Sequence, residues 1–323
     1  MTVKEKVLLL LEQNNGNFLS GQEIANQLFV TRASVWKAIK ALQKEGYDIE
    51  AITNKGYAIK EAPDILSSVM IKEYMKKEYE HLVIQTEQCV DSTNTRLKYE
   101  VASGQWKEKV LLAEEQLEGK GRLLREFFSP KGTGLYMSFL LRPNTLQAEC
   151  ITTAAATAVA KAIEQVSNKK TQIKWVNDVW LEGKKVAGIL TEAAASLEAG
   201  ELEYVIVGIG INVFEPNEGF PQSLQEIAGA VFSKTKQRGN VRNELAACIV
   251  NQFMDYYQNL EEKVFLQEYK ERSFVVGKEI KVVRFGTSKK ARALEVDDDC
   301  HLKVQYEDGS IETLSSGEIS IRL

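Results

Sequence analysis

Residues 119–138, Gly-Lys-Gly-Arg-Leu-Leu-Arg-Glu-Phe-Phe-Ser-Pro-Lys-Gly-Thr-Gly-Leu-Tyr-Met-Ser, alternate glycines, cations and aromatics where a plain surface turn would need only the glycines. Gly119 and Gly121 let backbone amides come close to a ligand, and Lys120, Arg122 and Arg125 supply positive charge that a phosphate or carboxylate would neutralise. Phe127 and Phe128 follow, so a planar ring could stack where the charges end. The same composition also fits a basic surface loop that runs into a strand at 135–141. A second stretch, Lys174-Trp175-Val176-Asn177-Asp178, is followed by Lys184-Lys185-Val186-Ala187-Gly188-Ile189-Leu190; both read as strands, joined as a hairpin by a tight Glu182-Gly183 turn. A lysine beside the apolar run 186–190 needs a partner if it points inward and snorkels to water if it does not. A third stretch, 204–213, reads as a buried strand in which Gly208 and Gly210 cost stability unless something must approach closely. It is no dinucleotide fingerprint, because Val213 stands where the third glycine would be.

In this order and spacing the three stretches resemble the biotin protein ligases, and the chain over all its regions resembles the bifunctional members that also repress biotin operons. The family signature is a Gly-Arg-Gly-Arg loop ending in Ser-Pro, then Lys-Trp-Pro-Asn-Asp, a Lys-Leu-Ala-Gly-like strand and Gly-x-Gly-x-Asn. Here these stand as Gly119 to Arg122 with Ser129-Pro130, Lys174 to Asp178, Lys185 to Gly188, and Gly208 to Asn212. An upstream family element, Asp-Ser-Thr-Asn, is matched by Asp91 to Asn94.

The resemblance implies roles residue by residue. Ser92, Thr93 and Asn94 would belong to a biotin pocket, with their polar groups on the ureido ring; at a strand-to-helix junction such residues also serve as caps, and the two roles are compatible. Gln116 matches the glutamine before the loop, with a solvated turn residue as the alternative. Gly119, Lys120, Gly121 and Arg122 match the loop that orders over biotin and the adenylate. Arg122 keeps the family residue and can grip phosphate with two parallel hydrogen bonds, whereas a lysine at 120 loses that planar fork. Leu124 replaces a glycine often found late in the loop, Phe127 a tryptophan, and Val176 a proline. A phenyl ring at 127 can still stack on adenine. Lys185 matches the lysine that reaches both the biotin carboxylate and the α-phosphate, neutralising two anions that otherwise repel, with Lys184 as its solvated neighbour. Gly188, Gly208 and Gly210 complete the expected substrate site. Arg125, Phe127, Lys174, Asn177, Asp178 and Asn212 make up the expected ATP site, with Mg²⁺ reached through Asp178 and Asn177. Asn177-Asp178 equally suits a β-turn. Lys185 and Arg122 are the expected catalytic residues.

The implied activity is formation of biotinoyl-adenylate from biotin and ATP with Mg²⁺, then transfer of biotin to a lysine on the biotin carrier domains of carboxylases. Neither a bound metal nor a tightly held prosthetic group is expected. The adenylate would also act as corepressor by favouring a homodimer that binds operator DNA. Two other readings share these residues. One is a lipoate-type protein ligase. The other is a catalytically weak biotin-sensing regulator, which the departures at Lys120, Leu124 and Val176 would suit and the retained Arg122 and Lys185 oppose.

The elements around these residues fall into three regions. Residues 1–62 read as a winged helix-turn-helix. A helix Val3 to Gln13 precedes a capping box at Ser20 and Glu23, a helix to Leu28, and a second helix from Thr31 to about Lys44. Arg32, Ser34, Lys37 and Lys40 share one side of that last helix as candidate DNA contacts, and Val35, Ala38, Ile39 and Leu42 its packing face. A hairpin about Asn54-Lys55-Gly56 would be the wing, with Lys55 reaching phosphate. A small helical protein-interaction module fits the same pattern. Pro63 marks a linker. Residues 66–272 alternate strand and helix patterns as a mixed-sheet α/β domain, with helices at Thr93 to Ser103, Ile151 to Val166, Arg242 to Glu262 and Val264 to Arg272. Residues 273–323 carry short alternating strands read as a small β-barrel, which in the family is SH3-like.

Composition narrows the chemistry. The 323 residues are 44% hydrophobic and 27% charged, as in an ordinary globular protein with room for two or three domains. The formal charge of -4, with eight Lys or Arg against seven Asp or Glu in residues 1–62, gives no general pull toward nucleic acid, so DNA binding must come from a sided surface. Cys89, Cys150, Cys248 and Cys300 are far apart and form no Cys-x-x-Cys pair, which speaks for a reducing cytoplasm. The amino terminus reads as an amphipathic helix rather than a signal peptide, and no apolar run reaches membrane-spanning length. His81 and His301 lie far in sequence from every candidate residue, so lysine, arginine, amides and carboxylates must do the work. Adenylation suits them, since the substrate brings its own carboxylate nucleophile and needs alignment and charge stabilisation.

Overall fold

The computed structural model describes residues 1–14, 16–59, 64–143, 148–196, 201–233, 239–284 and 287–321. The chain divides into two compact units, Met1–Tyr74 with Lys236–Ala247, and Met75–Thr235 with Cys248–Leu323.

In the first unit three helices, α1 (Val3–Gln13), α2 (Gly21–Leu28) and α3 (Arg32–Lys44), lead into an antiparallel hairpin of β1 (Ile49–Ile52) and β2 (Gly56–Ile59). The expected capping box starts α2: Glu23 N–H donates to Ser20 Oγ at 3.1 Å, and Ser20 N–H donates to Glu23 Oε2 at 2.7 Å. Val35, Ala38, Ile39 and Leu42 of α3 turn inward onto Leu11, Ile24 and Ile49, as their helical spacing predicts. Asn54 and Gly56 adopt positive φ, 68° and 110°, which tightens the wing turn and leaves Lys55 exposed. Helix α4 (Ser68–Tyr74), absent from the sequence reading, adds Val69 and Met70 to this core. The expected linker at Pro63 lies outside the described residues.

The second unit is built on a seven-stranded sheet in the order β3-β4-β5-β9-β8-β7-β6. Its strands are β3 (Val83–Glu87), β4 (Lys109–Ala113), β5 (Gly134–Leu141), β6 (Thr171–Lys174), β7 (Asp178–Leu181), β8 (Lys184–Ser196) and β9 (Glu201–Asn212). The first pair is parallel, joined through α5 (Thr93–Ala102), and the other pairs are antiparallel, so the sheet is mixed as expected. Helices α6 (Ala148–Ser167), α7 (Val241–Gln258, of which this unit holds the residues from Cys248 on) and α8 (Leu266–Arg272) follow the expected segments, α7 ending at Gln258 rather than Glu262. Glu182 and Gly183 both have positive φ, 51° and 79°, the geometry that matches a two-residue turn to strand twist.

Register explains why one face of this sheet can hold a ligand. Directly paired residues share a face, and Ser138 pairs with Gly208, Leu190 with Gly208, and Gly188 with Gly210. Gly188, Gly208, Gly210 and Ser138 therefore lie on one face, the face on which Leu140 and Ile206 pack against Leu97 of α5. The neighbouring position on β5, Phe139, points the other way and meets Phe253 of α7 with ring centroids 4.8 Å apart.

The carboxy-terminal strands β10 (Glu279–Arg284), β11 (Thr287–Val296), β12 (Leu302–Tyr306), β13 (Ile311–Leu314) and β14 (Glu318–Ile321) form an antiparallel sheet in the order β13-β12-β11-β10-β14. Asp297 Oδ1 accepts from Asp299 N–H and His301 N–H at 2.9 and 2.8 Å, fixing the turn expected at 297–299. Among the described residues no helix is long and apolar enough to cross a membrane.

Candidate active site

A cavity of about 260 Å³ opens over the glycine-bearing face of the large sheet, and all the residues expected for substrate and ATP except Gly119 line it. Its polar end is a closed hydrogen-bonded cluster. Ser92, Thr93 and Asn94 are only 2–3% exposed at the start of α5. Thr93 N–H and Oγ1 donate to Gln116 Oε1 at 2.9 and 3.1 Å, and Gln116 Nε2 donates to Ser129 Oγ at 2.9 Å. Ser138 Oγ lies 2.6 Å from both Thr93 Oγ1 and Asn94 Oδ1, and Asn94 Nδ2 donates to Glu192 Oε2 at 2.8 Å. Ser92 occupies the N-cap of α5, yet its hydroxyl makes no capping hydrogen bond. Capping therefore does not account for that hydroxyl, and Ser92 is one of the residues lining the cavity.

The floor is backbone. A side chain at 208 would put its Cβ 2.3 Å from Asn94 Oδ1, and one at 210 would put it 2.5 Å from the Phe127 ring. Glycine at both positions leaves room for Asn94 and Phe127, which lie directly on the strand, and this is the close approach that the sequence anticipates. Phe127 also meets Tyr136 edge-on at 6.5 Å. It thus caps the floor at Gly188 and Gly210.

The roof is the basic loop, folded back on itself by hydrogen bonds from Gly121 N–H to Arg125 O at 2.7 Å and from Phe127 N–H to Gly119 O at 2.8 Å. Gly119 lines no part of the cavity; a Cβ there would lie 2.3 Å from Phe127 O and 2.5 Å from Ser129 Oγ, so this glycine serves the loop's packing. Lys120 Nζ donates to Thr95 Oγ1 at 2.8 Å on the cavity rim. Arg122 donates to Asn177 Oδ1 at 3.1 Å and to Gly317 O at 2.9 Å, and burial pulls its pKa below the usual arginine value although Asp178 and Glu318 oppose this. It remains cationic, because no plausible shift deprotonates a guanidinium near neutrality. Arg125 Nη2 meets Glu318 Oε2 at 2.8 Å.

The remaining wall is the β6–β7–β8 meander. Lys174 ends β6, Trp175, Val176 and Asn177 make the turn, and Asp178 begins β7. Asn177 thus sits in the turn and lines the cavity at once. The Trp175–Val176 bond is cis. Asn177 Nδ2 donates to Ile189 O at 2.8 Å, leaving its Oδ1 for Arg122. Lys185 Nζ stands 2.6 Å from Asp178 Oδ1. Lys184 lies outside the cavity lining and is half-buried rather than solvated, its Nζ donating to Gln225 O at 3.1 Å and to Glu226 O. Asn212 Nδ2 donates to Gly229 O at 3.0 Å at the far edge of the cavity. Burial lowers the Lys174 pKa, with Asp178 opposing. Five cations, Lys120, Arg122, Arg125, Lys174 and Lys185, face the cavity against three carboxylates, so it is built for a ligand with several negative charges.

Several contributors escaped the sequence reading. Ser138 gave a usable signal, a hydroxyl in a strand buried at every position. Glu192, and the carboxy-terminal Gly317 and Glu318, gave none, because only the fold brings them near Asn94 and the loop. Phe220, Leu224, Ile227 and Ala228 form an apolar wall, held to β8 by Lys185 N–H donating to Ile227 O at 2.8 Å. Tyr269 OH of α8 donates to Val176 O at 3.1 Å, and Trp175 Nε1 donates to Cys300 O at 3.0 Å, so buried contacts hold the turn from behind. Of the candidate DNA contacts, Arg32, Lys37, Lys40 and Lys55 are exposed; Ser34 is half-buried, with its hydroxyl 2.9 Å from Thr31 Oγ1 at the N-cap of α3.

A mixed sheet with a glycine floor, a folded cationic roof and a buried polar end defines a domain of the biotin/lipoate protein ligase class, and the Biotin/lipoate A/B protein ligase family matches residues 87–212. An HTH domain matches 3–58, and the biotin protein ligase C-terminal domain matches 275–322. The bifunctional ligase/repressor BirA of Bacillus spizizenii is 32% identical over 99% of both chains. The Escherichia coli protein of that name is 27% identical over 99% of this chain and 98% of its own. A solved structure of the Aquifex aeolicus biotin protein ligase in complex with biotin and ATP superposes with a TM-score of 0.60 at 27% identity, covering 74% of this chain and 98% of the other. The chain belongs to the family of bifunctional ligase/repressor proteins.

Proposed function

We propose that this protein joins biotin to protein in two steps. In the first, the biotin carboxylate attacks the α-phosphorus of ATP and pyrophosphate leaves, giving the biotinoyl-adenylate. In the second, the amine of an acceptor lysine on a carboxylase carrier domain attacks the anhydride carbonyl and AMP leaves. The observation that carries this reading is the placement of Arg122 and Lys185 on one cavity whose opposite end is the uncharged cluster of Ser92, Thr93 and Asn94. A ligand with a neutral polar ring at one end and a carboxylate at the other fits that polarity. Biotin has this shape, and its ureido group would meet hydroxyl and amide partners while its carboxylate would meet the cations.

Lys185 is the proposed electrostatic catalyst, drawn between Asp178 and the two anions it brings together. Arg122 and Lys120 hold the phosphoanhydride beneath the roof, and Phe127 supplies an adenine platform. Lys174, Asn177, Arg125 and Asn212 are assigned to the nucleotide. Asp178, with Asn177 beside it, would hold a Mg²⁺ ion carried in on ATP, which suits an ion that keeps most of its shell as water and phosphate. Neutralising the phosphate charge is the chemistry that ion would supply.

The same reading assigns residues 1–62 to a winged helix-turn-helix on operator DNA, 66–272 to catalysis, and 273–323 to an SH3-like module whose Gly317 and Glu318 contact the roof. The adenylate acts as corepressor by favouring a homodimer that presents two recognition helices to paired half-sites. A cytoplasmic setting follows from these substrates. Biotin-dependent exchange of labelled pyrophosphate into ATP tests the first step; exchange that is equal with and without biotin would overturn it.

A further inference from the structure

The recognition helix displays a tryptophan to solvent amid its cations. On α3, residues Ala33, Trp36, Lys37, Lys40 and Lys44 are exposed at spacings of three and four, while Val35, Ala38, Ile39 and Leu42 are 1–5% exposed beneath them. Trp36 is 53% exposed, and among the described residues its indole N–H makes no hydrogen bond. Among the same residues Arg32 and Lys37 enter no ion pair, so the stripe holds two cations available to phosphate with a bare indole beside them.

We infer that Trp36 is a specificity-determining residue that reads base edges in the major groove through apolar contact with a thymine methyl group. This rests on the DNA-binding reading proposed above and extends it from phosphate contacts to sequence choice. Arg32, Lys37 and Lys40 supply sequence-independent attraction, and a duplex bound through them alone would be held equally at any register. Trp36 is the fifth residue of α3, in the amino-terminal part of the helix that such domains insert toward base edges. Its side chain is rigid, with two rotatable bonds, so little entropy is lost on docking. In the major groove the C5-methyl of thymine is the apolar feature that separates one base from the others, and a flat apolar side chain is its natural complement. Ala33, one turn earlier on the same stripe, keeps space open beside the ring.

The test uses the full chain with biotin and ATP. Preferred sites are recovered from a pool of random-sequence duplexes, and each thymine in the recovered site is then replaced by deoxyuracil, which removes the methyl group alone. For the unaltered protein, affinity should fall about 3- to 10-fold at one thymine in each half-site, the scale expected for one apolar contact. Trp36→Ala should bind the thymine and uracil duplexes equally, with the slope of log affinity against log salt unchanged. Trp36→Phe should retain part of the preference, and thermal unfolding midpoints show that both variants are folded. The inference is overturned if Trp36→Ala keeps the uracil sensitivity, or if it weakens every duplex by the same factor, as loss of a backbone contact or of a protein–protein contact would. If the unaltered protein recovers no preferred site at all, the operator-binding reading itself fails.

Discussion

Lys185 Nζ lies 2.6 Å from Asp178 Oδ1 across the β7–β8 hairpin, with the two side chains 30% and 18% exposed. An anion reaching Lys185 from the cavity competes with a carboxylate already in place, so the lysine is held in position without being sealed away.

Replacing Lys185 by methionine keeps the stem and removes the charge. Biotin-dependent pyrophosphate release by Lys185→Met should drop ~10²-fold or more, the usual cost of losing a charged contact made in the transition state. Asp178→Asn should retain more activity than this, because the ammonium survives. Near-normal release by the methionine variant would remove Lys185 from the mechanism.

Arg122 ties the roof to Asn177 and to Gly317. Arg122→Gly should loosen it and let the reactive anhydride escape to water before an acceptor arrives. Chromatography of the reaction mixture should show free biotinoyl-adenylate accumulating in solution; retention equal to that of the unaltered protein would deny the loop a sequestering role.

The two floor glycines should fail differently. An added methyl at 208 meets Asn94, which is fixed by Ser138 and Glu192, whereas one at 210 meets the Phe127 ring, which can swing away. Gly208→Ala should therefore weaken biotin binding, and Gly210→Ala should chiefly weaken ATP binding. Calorimetric titration with each substrate separates the two, and identical effects would contradict the assigned ends of the cavity.

Glu164 of α6 predicts a pH-dependent contribution to stability. Burial raises its pKa, but the Thr171 N–H at 2.9 Å, Arg272 at 3.3 Å, the Thr171 hydroxyl and Lys170 together bring it below the ordinary 4.5. A carboxylate with a depressed folded pKa stabilises above its unfolded value and loses that contribution as pH falls through the folded one. Glu164→Gln should cost about 1.5–3 kcal/mol near neutrality, the scale of hydrogen bonds to a charged group, and the gap should close in acid. Urea midpoints for both proteins across that range check the sign.

Much of the fold and the site was legible because their signals were local. The capping box of Ser20 and Glu23, the Glu182-Gly183 turn, and the buried face of α3 follow from residues a few positions apart. Gly208 and Gly210 were visible as breaks in an apolar strand, and Gly188 only through the family motif; the register alone shows that the three share a face. What stayed hidden was brought together across long sequence separations. Asn94 to Glu192, Arg122 to Gly317 and Tyr269 to Val176 leave no local trace. Helix α4 is short, and its apolar residues carry too few turns to display a period.

The most direct test is one incubation of the intact protein with ATP, biotin and a purified biotin carrier domain, read by mass spectrometry of the carrier. The expected result is a mass gain of one biotinoyl group on a single lysine, dependent on both small molecules and absent when lipoate replaces biotin. An unmodified carrier, or one modified equally well with lipoate, would contradict the assignment of this cavity to biotin transfer.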